Sequence, residues 1–347
     1  MSGDGVRRRL IGQITAYRTS KCLYAAVELG IPDLLARRPM TAAELAAETR
    51  TEVDPLRRVV DHLVVAEVLG LDASGAYVGT EASRLLCRDA SDGIANWVRC
   101  ELQEGYWRSW DRLVEQLRTG TPAFELTHQE RFFEWLARSP EISGLFDATM
   151  RDGSRDLDGG LTTAITLRPG QTVVDVGGGD GSLLAALLTA SPGTRGILFE
   201  LPREKAEVVP ALAELIAGGR ARVERGSFFD GVPSGGDVHV LKRVLHDWDD
   251  QRASQILGHC RDALAPGGRV VVVDMVLDDD RRVPVGRSLD VLMMILMAGR
   301  ERSAADFSAL GTAAGFLPAH VTATGTALSV VELSLPVPER PEPHAGR

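Results

Sequence analysis

The chain has 347 residues, 44% hydrophobic and 25% charged, a composition that predicts a globular protein of two domains with sizeable cores. Its formal net charge of −9 argues against an extended surface for nucleic acid or anionic lipid, since such surfaces neutralise phosphates with Lys and Arg. The four cysteines, Cys22, Cys87, Cys100 and Cys260, lie far apart without zinc-ligand spacing, so they read as reduced structural thiols and no metal is expected.

The N-terminal Arg7-Arg8-Arg9 leads into a mixed helical pattern and not into the apolar stretch of a signal peptide. The apolar run around residues 291–298 is too short to span a bilayer, and the expected location is the cytoplasm. Over residues 10–35, Leu10, Ile14, Leu23, Val27 and Leu34 recur at roughly helical spacing. Thr41-Ala42-Ala43-Glu44 then reads as a capping box opening another helix. Asp54-Pro55 starts a third, running through Leu56, Val59, Val60, Leu63 and Val64 to Gly70. Two short strands follow around Ser74-Gly75, and helix, helix, helix, hairpin predicts a winged helix. Arg57 and Arg58 would suit DNA, but Asp54 and Asp61 share their helix in an acidic chain. Packing against a second copy is the better reading.

Residues 95–160 are again helical and concentrate Trp97, Tyr106, Trp107, Trp110, Phe124, Phe132, Phe133, Trp135 and Phe146, most of them for packing. After Pro169-Gly170 strands and helices alternate, with candidate strands at 172–176, 195–200, 222–224, 238–241 and 269–273 and a final pair near 316–321 and 327–333. That alternation predicts an α/β fold, a doubly wound Rossmann-like domain. The expected division is a helical winged-helix-like dimerisation domain at 1–95, a helical linker contributing to a substrate pocket at 96–160, the α/β domain at 161–335, and a Pro-rich flexible tail at 336–347.

The first α/β strand runs into Val173-Val174-Asp175-Val176-Gly177-Gly178-Gly179-Asp180-Gly181, a glycine loop that lets the backbone approach a nucleotide closely. Dinucleotide sites space their glycines as GxGxxG to seat a pyrophosphate on a helix N-terminus. Here the spacing is GxGxG, Ser182 stands in the third place, and the carboxylate of Asp175 would repel a pyrophosphate. A cationic ligand suits this loop better, which favours S-adenosylmethionine over a nicotinamide cofactor. Glu200 ends the second strand, where a carboxylate can accept both ribose hydroxyls, and Gly226-Ser227-Phe228-Phe229 follows the third, at the edge where adenine would lie. Leu245-His246-Asp247-Trp248 follows the fourth, at the carboxyl end of the sheet where open α/β sheets bind ligands. That position singles out His246 among the histidines.

With these segments, together with Phe199-Glu200-Leu201-Pro202, Leu264-Ala265-Pro266-Gly267-Gly268 and Gly299-Arg300-Glu301-Arg302-Ser303, the chain resembles the class I small-molecule O-methyltransferases over nearly its whole length. That family includes the plant caffeate and hydroxyindole enzymes and actinobacterial polyketide-tailoring enzymes. The resemblance implies that Gly177 and Gly179 cradle the methionine part of the cofactor and Glu200 holds the ribose. Ser227, Phe228 and Trp248 would border adenine, and Lys242 or Arg243 would reach the ring or the cofactor's carboxylate, with Leu201, Gly226 and Asp175 completing the cofactor-binding set. His246 matches the general base, Glu301 and Asp274 the acidic residues that flank and orient it, and Asp247 joins the catalytic set. Ser227 stands where many relatives have Asp. Asp274 stands where plant members have Glu and is one methylene shorter, which makes Glu301 the stronger candidate for orienting the histidine. The resemblance also implies a homodimer through the N-terminal helices.

A His near pKa 6.5 taking a proton from a phenol near 10 works uphill by roughly 5 kcal/mol, against about 13 kcal/mol for an aliphatic alcohol, so a phenolic acceptor is expected. Phe146, Met150, Met293, Met294 and Met297 are the candidate lining of the acceptor pocket, since methionines adapt to flat ligands. The alternative reading, a non-methylating use of S-adenosylmethionine for hydroxylation, decarboxylation or rearrangement, is disfavoured by the presence of both His246 and Glu301.

Overall fold

A computed structural model of the chain describes residues 3–155, 160–202, 208–277 and 284–336. They divide into two units, Met1–Arg112 with Thr127–Gly153, and Leu113–Leu126 with Ser154–Arg347. The expected tail lies, from residue 337 onward, outside the described residues.

In the first unit the helical stretch 10–35 is not one helix but parts of three, Gly3–Thr15, Tyr17–Glu28 and Ile31–Leu35. The capping box forms: the Thr41 N–H donates to Glu44 Oε2 at 2.7 Å and the Glu44 N–H returns a bond to Thr41 Oγ1 at 3.3 Å, opening helix Ala42–Thr49. Helix Val53–Val65 buries Leu56, Val60 and Leu63, one stripe at helical spacing, against Ile31, Leu45, Leu69 and Tyr77. Strands β1 (Leu69–Leu71) and β2 (Tyr77–Gly79) pair antiparallel, and Asp72 accepts bonds from the Ser74 and Ala76 N–H groups to close the turn. The winged helix is therefore present. Asp61, on the helix first weighed for DNA, accepts the Tyr77 hydroxyl at 2.6 Å, which ties it to the wing. Leu10, Ile11, Ile14 and Tyr17 are all at least half exposed, an apolar face on the first two helices. Phe132, on helix Phe132–Arg138, meets Tyr106, Phe133 and Phe146 edge-on at 5.4–5.7 Å, so most of the aromatic residues pack as expected.

The second unit carries a sheet of seven strands among the described residues: β3 (Thr172–Val176), β4 (Arg195–Glu200), β5 (Ala221–Arg225), β6 (Gly236–Lys242), β7 (Leu264–Asp274), β10 (His320–Ala323) and β11 (Ser329–Ser334). Two short strands, β8 (Val276–Leu277) and β9 (Arg302–Ser303), pair separately. The sheet order is β10-β11-β7-β6-β3-β4-β5, parallel from β7 to β5, with β11 and β10 antiparallel at the other edge. β7 begins at Leu264, earlier than the expected 269, because Gly236 pairs with Leu264 across an irregularity. Val-rich strands with both faces covered make the core. Helices Asp250–Ala263 and Ala304–Ala313 pack on the face of Val174, Val176, Leu241, Val270 and Val272, and helices Ser182–Ala190 and Pro210–Ala217 on the face of Val173, Val238, Val240, Val271 and Val273. From β3 the chain winds one way to β4 and β5 and then returns to β6 on the other side. The switch point therefore lies between β3 and β6, where ligands bind such sheets.

Candidate active site

At the carboxyl end of β3, Asp175 is 1% exposed and the chain turns through Gly177, Gly179 and Gly181, all with positive φ, into helix Ser182–Ala190. Gly178 is required for space, since a Cβ there would collide with the Asp175 carboxyl group and lie 2.6 Å from Leu198. Glu200, 8% exposed at the end of β4, accepts the Gly179 N–H at 3.0 Å and the Leu201 N–H at 2.9 Å. Its carboxylate is thereby aimed along the loop, and carboxylate oxygens are the acceptors a ligand hydroxyl needs. Leu201, by contrast, is 41% exposed.

Phe228 touches the loop, 3.6 Å from where a Gly177 Cβ would stand. Phe228, Phe229 and Trp248 form an edge-to-face trio with centroids 4.7–6.1 Å apart, and the Arg252 guanidinium sits over Phe229 and Trp248. Ser227 Oγ accepts the Phe229 N–H at 3.2 Å, which shapes the turn. The Gly226 N–H donates to the Glu200 carbonyl. A buried carboxylate, a glycine cradle, a strand-end Glu and an aromatic wall fit a nucleoside that carries positive charge, as S-adenosylmethionine does.

Next to this cradle, β6 ends in Lys242 and Arg243 follows. Arg243 has φ 53° and its N–H donates to the Val273 carbonyl at 2.9 Å, a left-handed kink that turns the chain into the His246 loop. His246 is 4% exposed. Its Nδ1 stands 2.7 Å from Glu301 Oε1, and its Nε2 is 3.4 Å from Asp247 Oδ1. Burial works against a charge on this imidazole, yet the Asp247 carboxylate, the bond to Glu301 and the fields of Asp274 and Glu301 together raise its pKa to about 9. Burial raises Asp247 to about 6 against the pull of His246 and Arg243, and it lifts the Asp274 carboxyl above its ordinary range in the same way. Of the expected flanking acids, Glu301 makes the direct bond to His246 and Asp274 makes none.

Three residues that hold this loop have no role assigned to them by the sequence alone. Arg302, 1% exposed, donates to the Leu245 carbonyl at 2.7 Å, the Trp248 carbonyl at 2.8 Å and Asp250 Oδ1, bracketing His246 on both sides. Gly299 leaves room for the His246 carbonyl oxygen, which a Cβ would strike, and the next N–H, of Arg300, bonds to that oxygen at 2.8 Å. Asp290, on helix Pro284–Leu296, accepts the Glu301 N–H at 2.9 Å. The Gly299–Ser303 motif was visible, but nothing in its order said that Arg302 points inward. Met293 is buried on the same helix, Met297 is buried just past its end, and Met294 is half-buried, its carbonyl bonded by Gln116. Phe146 and Met150 belong to the other unit, where Phe146 packs on Phe132 and Met150 is 36% exposed. Among the described residues no group of side chains could hold a metal ion, and no helix is long and apolar enough to cross a membrane.

Residues 110–317 match the model of an O-methyltransferase domain, and residues 11–89 that of an O-methyltransferase dimerisation domain. The chain is 37% identical to the O-demethylpuromycin-O-methyltransferase of Streptomyces alboniger, over 91% of this chain and 85% of that one. It is 35% identical to a phenazine O-methyltransferase of Lysobacter antibioticus, over 93% and 94%. Among solved structures, an O-methyltransferase from neocarzinostatin biosynthesis in complex with S-adenosylmethionine and 2-hydroxy-5-methyl naphthoic acid superposes with a TM-score of 0.79 at 32% identity, covering 92% of this chain and 96% of that one.

Proposed function

The chain belongs to the dimerising S-adenosylmethionine-dependent O-methyltransferases, and from that premise we propose that the oxygen it methylates is a phenolic hydroxyl on a small aromatic natural product. The observation that carries this reading is the buried Glu301–His246 pair at the carboxyl edge of the sheet, next to the cofactor cradle. The relatives named above support the substrate class, since the puromycin and phenazine enzymes and the naphthoate complex all concern aromatic molecules.

When bound, S-adenosylmethionine supplies an electrophilic methyl group on a sulfonium. Glu200 would hold its ribose, Phe228 and Trp248 would border its ring, and Gly177 and Gly179 would admit its amino-acid portion. Glu301 fixes the His246 tautomer by accepting Nδ1–H, which leaves the Nε2 lone pair to take the acceptor's hydroxyl proton. The raised basicity of His246 lowers the cost of proton transfer from either kind of acceptor by the same amount and keeps the gap that favours phenols. Moving a proton from a phenol near 10 to a base at about 9 costs about 1 kcal/mol, against about 10 kcal/mol from an aliphatic alcohol near 16. The four cysteines are all free, which suits a reducing compartment and supports a cytoplasmic location.

The test is incubation with S-adenosylmethionine and a panel of phenols, read by mass spectrometry. Products heavier by one methyl-for-hydrogen exchange, absent with His246→Ala, support the proposal. Consumption of the phenol without that mass gain overturns it.

A further inference from the structure

We propose that Asp274 forms a second polar subsite of the acceptor pocket, which receives a hydroxyl or carbonyl group standing next to the oxygen that is methylated. This rests on the phenol-methylating reading above and deepens it. Asp274 is the last residue of β7, one beyond Val273, whose partner across the sheet is Lys242 of β6 and whose carbonyl takes the Arg243 N–H. By strand alternation its side chain shares the face of Val270 and Val272, which pack in one cluster with Leu245, the neighbour of His246. It is therefore on the His246 side of the sheet's carboxyl edge.

The group is 1% exposed, and neither of its oxygens has a hydrogen-bond partner among the described residues. Glu301 is bonded to Nδ1 of His246, so Asp274 is not needed to orient that ring. A buried carboxyl without a partner is costly to keep, which makes a ligand group its natural complement. Burial first, and then the nearby Glu301 and Asp247 carboxylates, favour its protonated form against the opposing pull of His246 and Arg243. In either protonation state its oxygens accept from a hydroxyl neighbour, and in the protonated form it also donates to a carbonyl. The methylated oxygen must reach His246, so whatever meets Asp274 belongs to the adjacent position of the same ring. A lone phenol would leave the carboxyl unpaired, and that is how a polar site rejects a near-analogue.

The two probes are naphthalene-2,3-diol and naphthalene-2,6-diol, which carry the same groups in adjacent and remote positions. Wild type, Asp274→Asn and Asp274→Val are assayed for kcat/KM at saturating S-adenosylmethionine, and cofactor Kd is measured by calorimetry. Wild type is expected to prefer the adjacent diol by about tenfold, the scale of one buried hydrogen bond. Asp274→Val should abolish that preference and Asp274→Asn keep most of it, with cofactor Kd unchanged in both. Equal use of the two diols by wild type overturns the proposal, as does an unaltered preference in Asp274→Val. Weakened cofactor binding in Asp274→Val also overturns it, by making the carboxyl a counter-ion to the sulfonium. If cofactor-loaded wild type methylates neither diol, the phenol reading itself fails and this one with it, a result distinct from methylation without selectivity.

Discussion

Replacing Glu301 by Gln removes a charge next to His246 while keeping the shape and an oxygen that can accept Nδ1–H, so it separates orientation from proton affinity. In the native chain this 2.7 Å contact is one of the influences that hold His246 at about 9. A hydrogen bond to a charged group is worth about 1.5–3 kcal/mol, or about 1–2 pKa units at 1.36 kcal/mol per unit. The imidazolium is the resting form at neutral pH, so the rate should rise with pH until the base is free near 9. In Glu301→Gln that limb should move about 1–2 units toward acid and end on a plateau about 10–100-fold lower, because the freed base is weaker by the same amount. Below both limbs the larger free-base fraction offsets the lost basicity, and the two enzymes should differ by only severalfold near pH 6. Single-turnover rates across pH 6–10 with a fixed phenol and saturating S-adenosylmethionine measure this. An equal loss at every pH would refute the argument, since it would mean that Glu301 acts on the position of the ring and not on its proton affinity.

Glu200→Ala should weaken S-adenosylmethionine binding by about 10–100-fold in calorimetry, because it removes an acceptor aimed along the glycine loop and frees the Gly179 and Leu201 N–H groups it now engages. Gly299→Ala should drive a Cβ into the His246 carbonyl, costing about 1–3 kcal/mol of stability and lowering kcat with little change in cofactor Kd, measured by denaturant titration and kinetics. Arg302→Met should cost about 1–3 kcal/mol, because it removes the donors that the guanidinium gives to the Leu245 and Trp248 carbonyls of the His246 loop; a loss below about 1 kcal/mol in urea unfolding would contradict the clamp. His246 has a folded pKa above its unfolded value near 6.5, so its stabilisation is complete below about 6.5 and is lost as pH rises through about 9. Wild type should therefore lose about 3 kcal/mol more than His246→Gln between pH 6 and pH 10, and parallel melting curves would show that the imidazole is not charged in the fold.

What could be read from the sequence is what is local along it. The capping box of Thr41 and Glu44 closes over three residues, the wing turns at Ser74-Gly75, and the Asp175 loop announces itself by glycines packed between a Val-rich strand and a Leu-rich helix. Each depends on backbone geometry within one or two turns, and residue order records that directly. The breaks that divide residues 3–35 into three helices were less visible, because all three share one amphipathic spacing. The site itself was legible as a set of residues but not as an arrangement. His246 and Glu301, 55 positions apart, meet because β6 and β7 are neighbours and because Gly299 and Arg302 press the following segment onto the His246 loop. That contact, with Asp247 and Asp274 shut in beside it, turns a histidine of ordinary basicity into one near 9, and it leaves Asp274 buried without a partner. Both follow from which strands lie side by side and how much water they exclude, quantities that belong to packing in three dimensions and that no local pattern of residues carries.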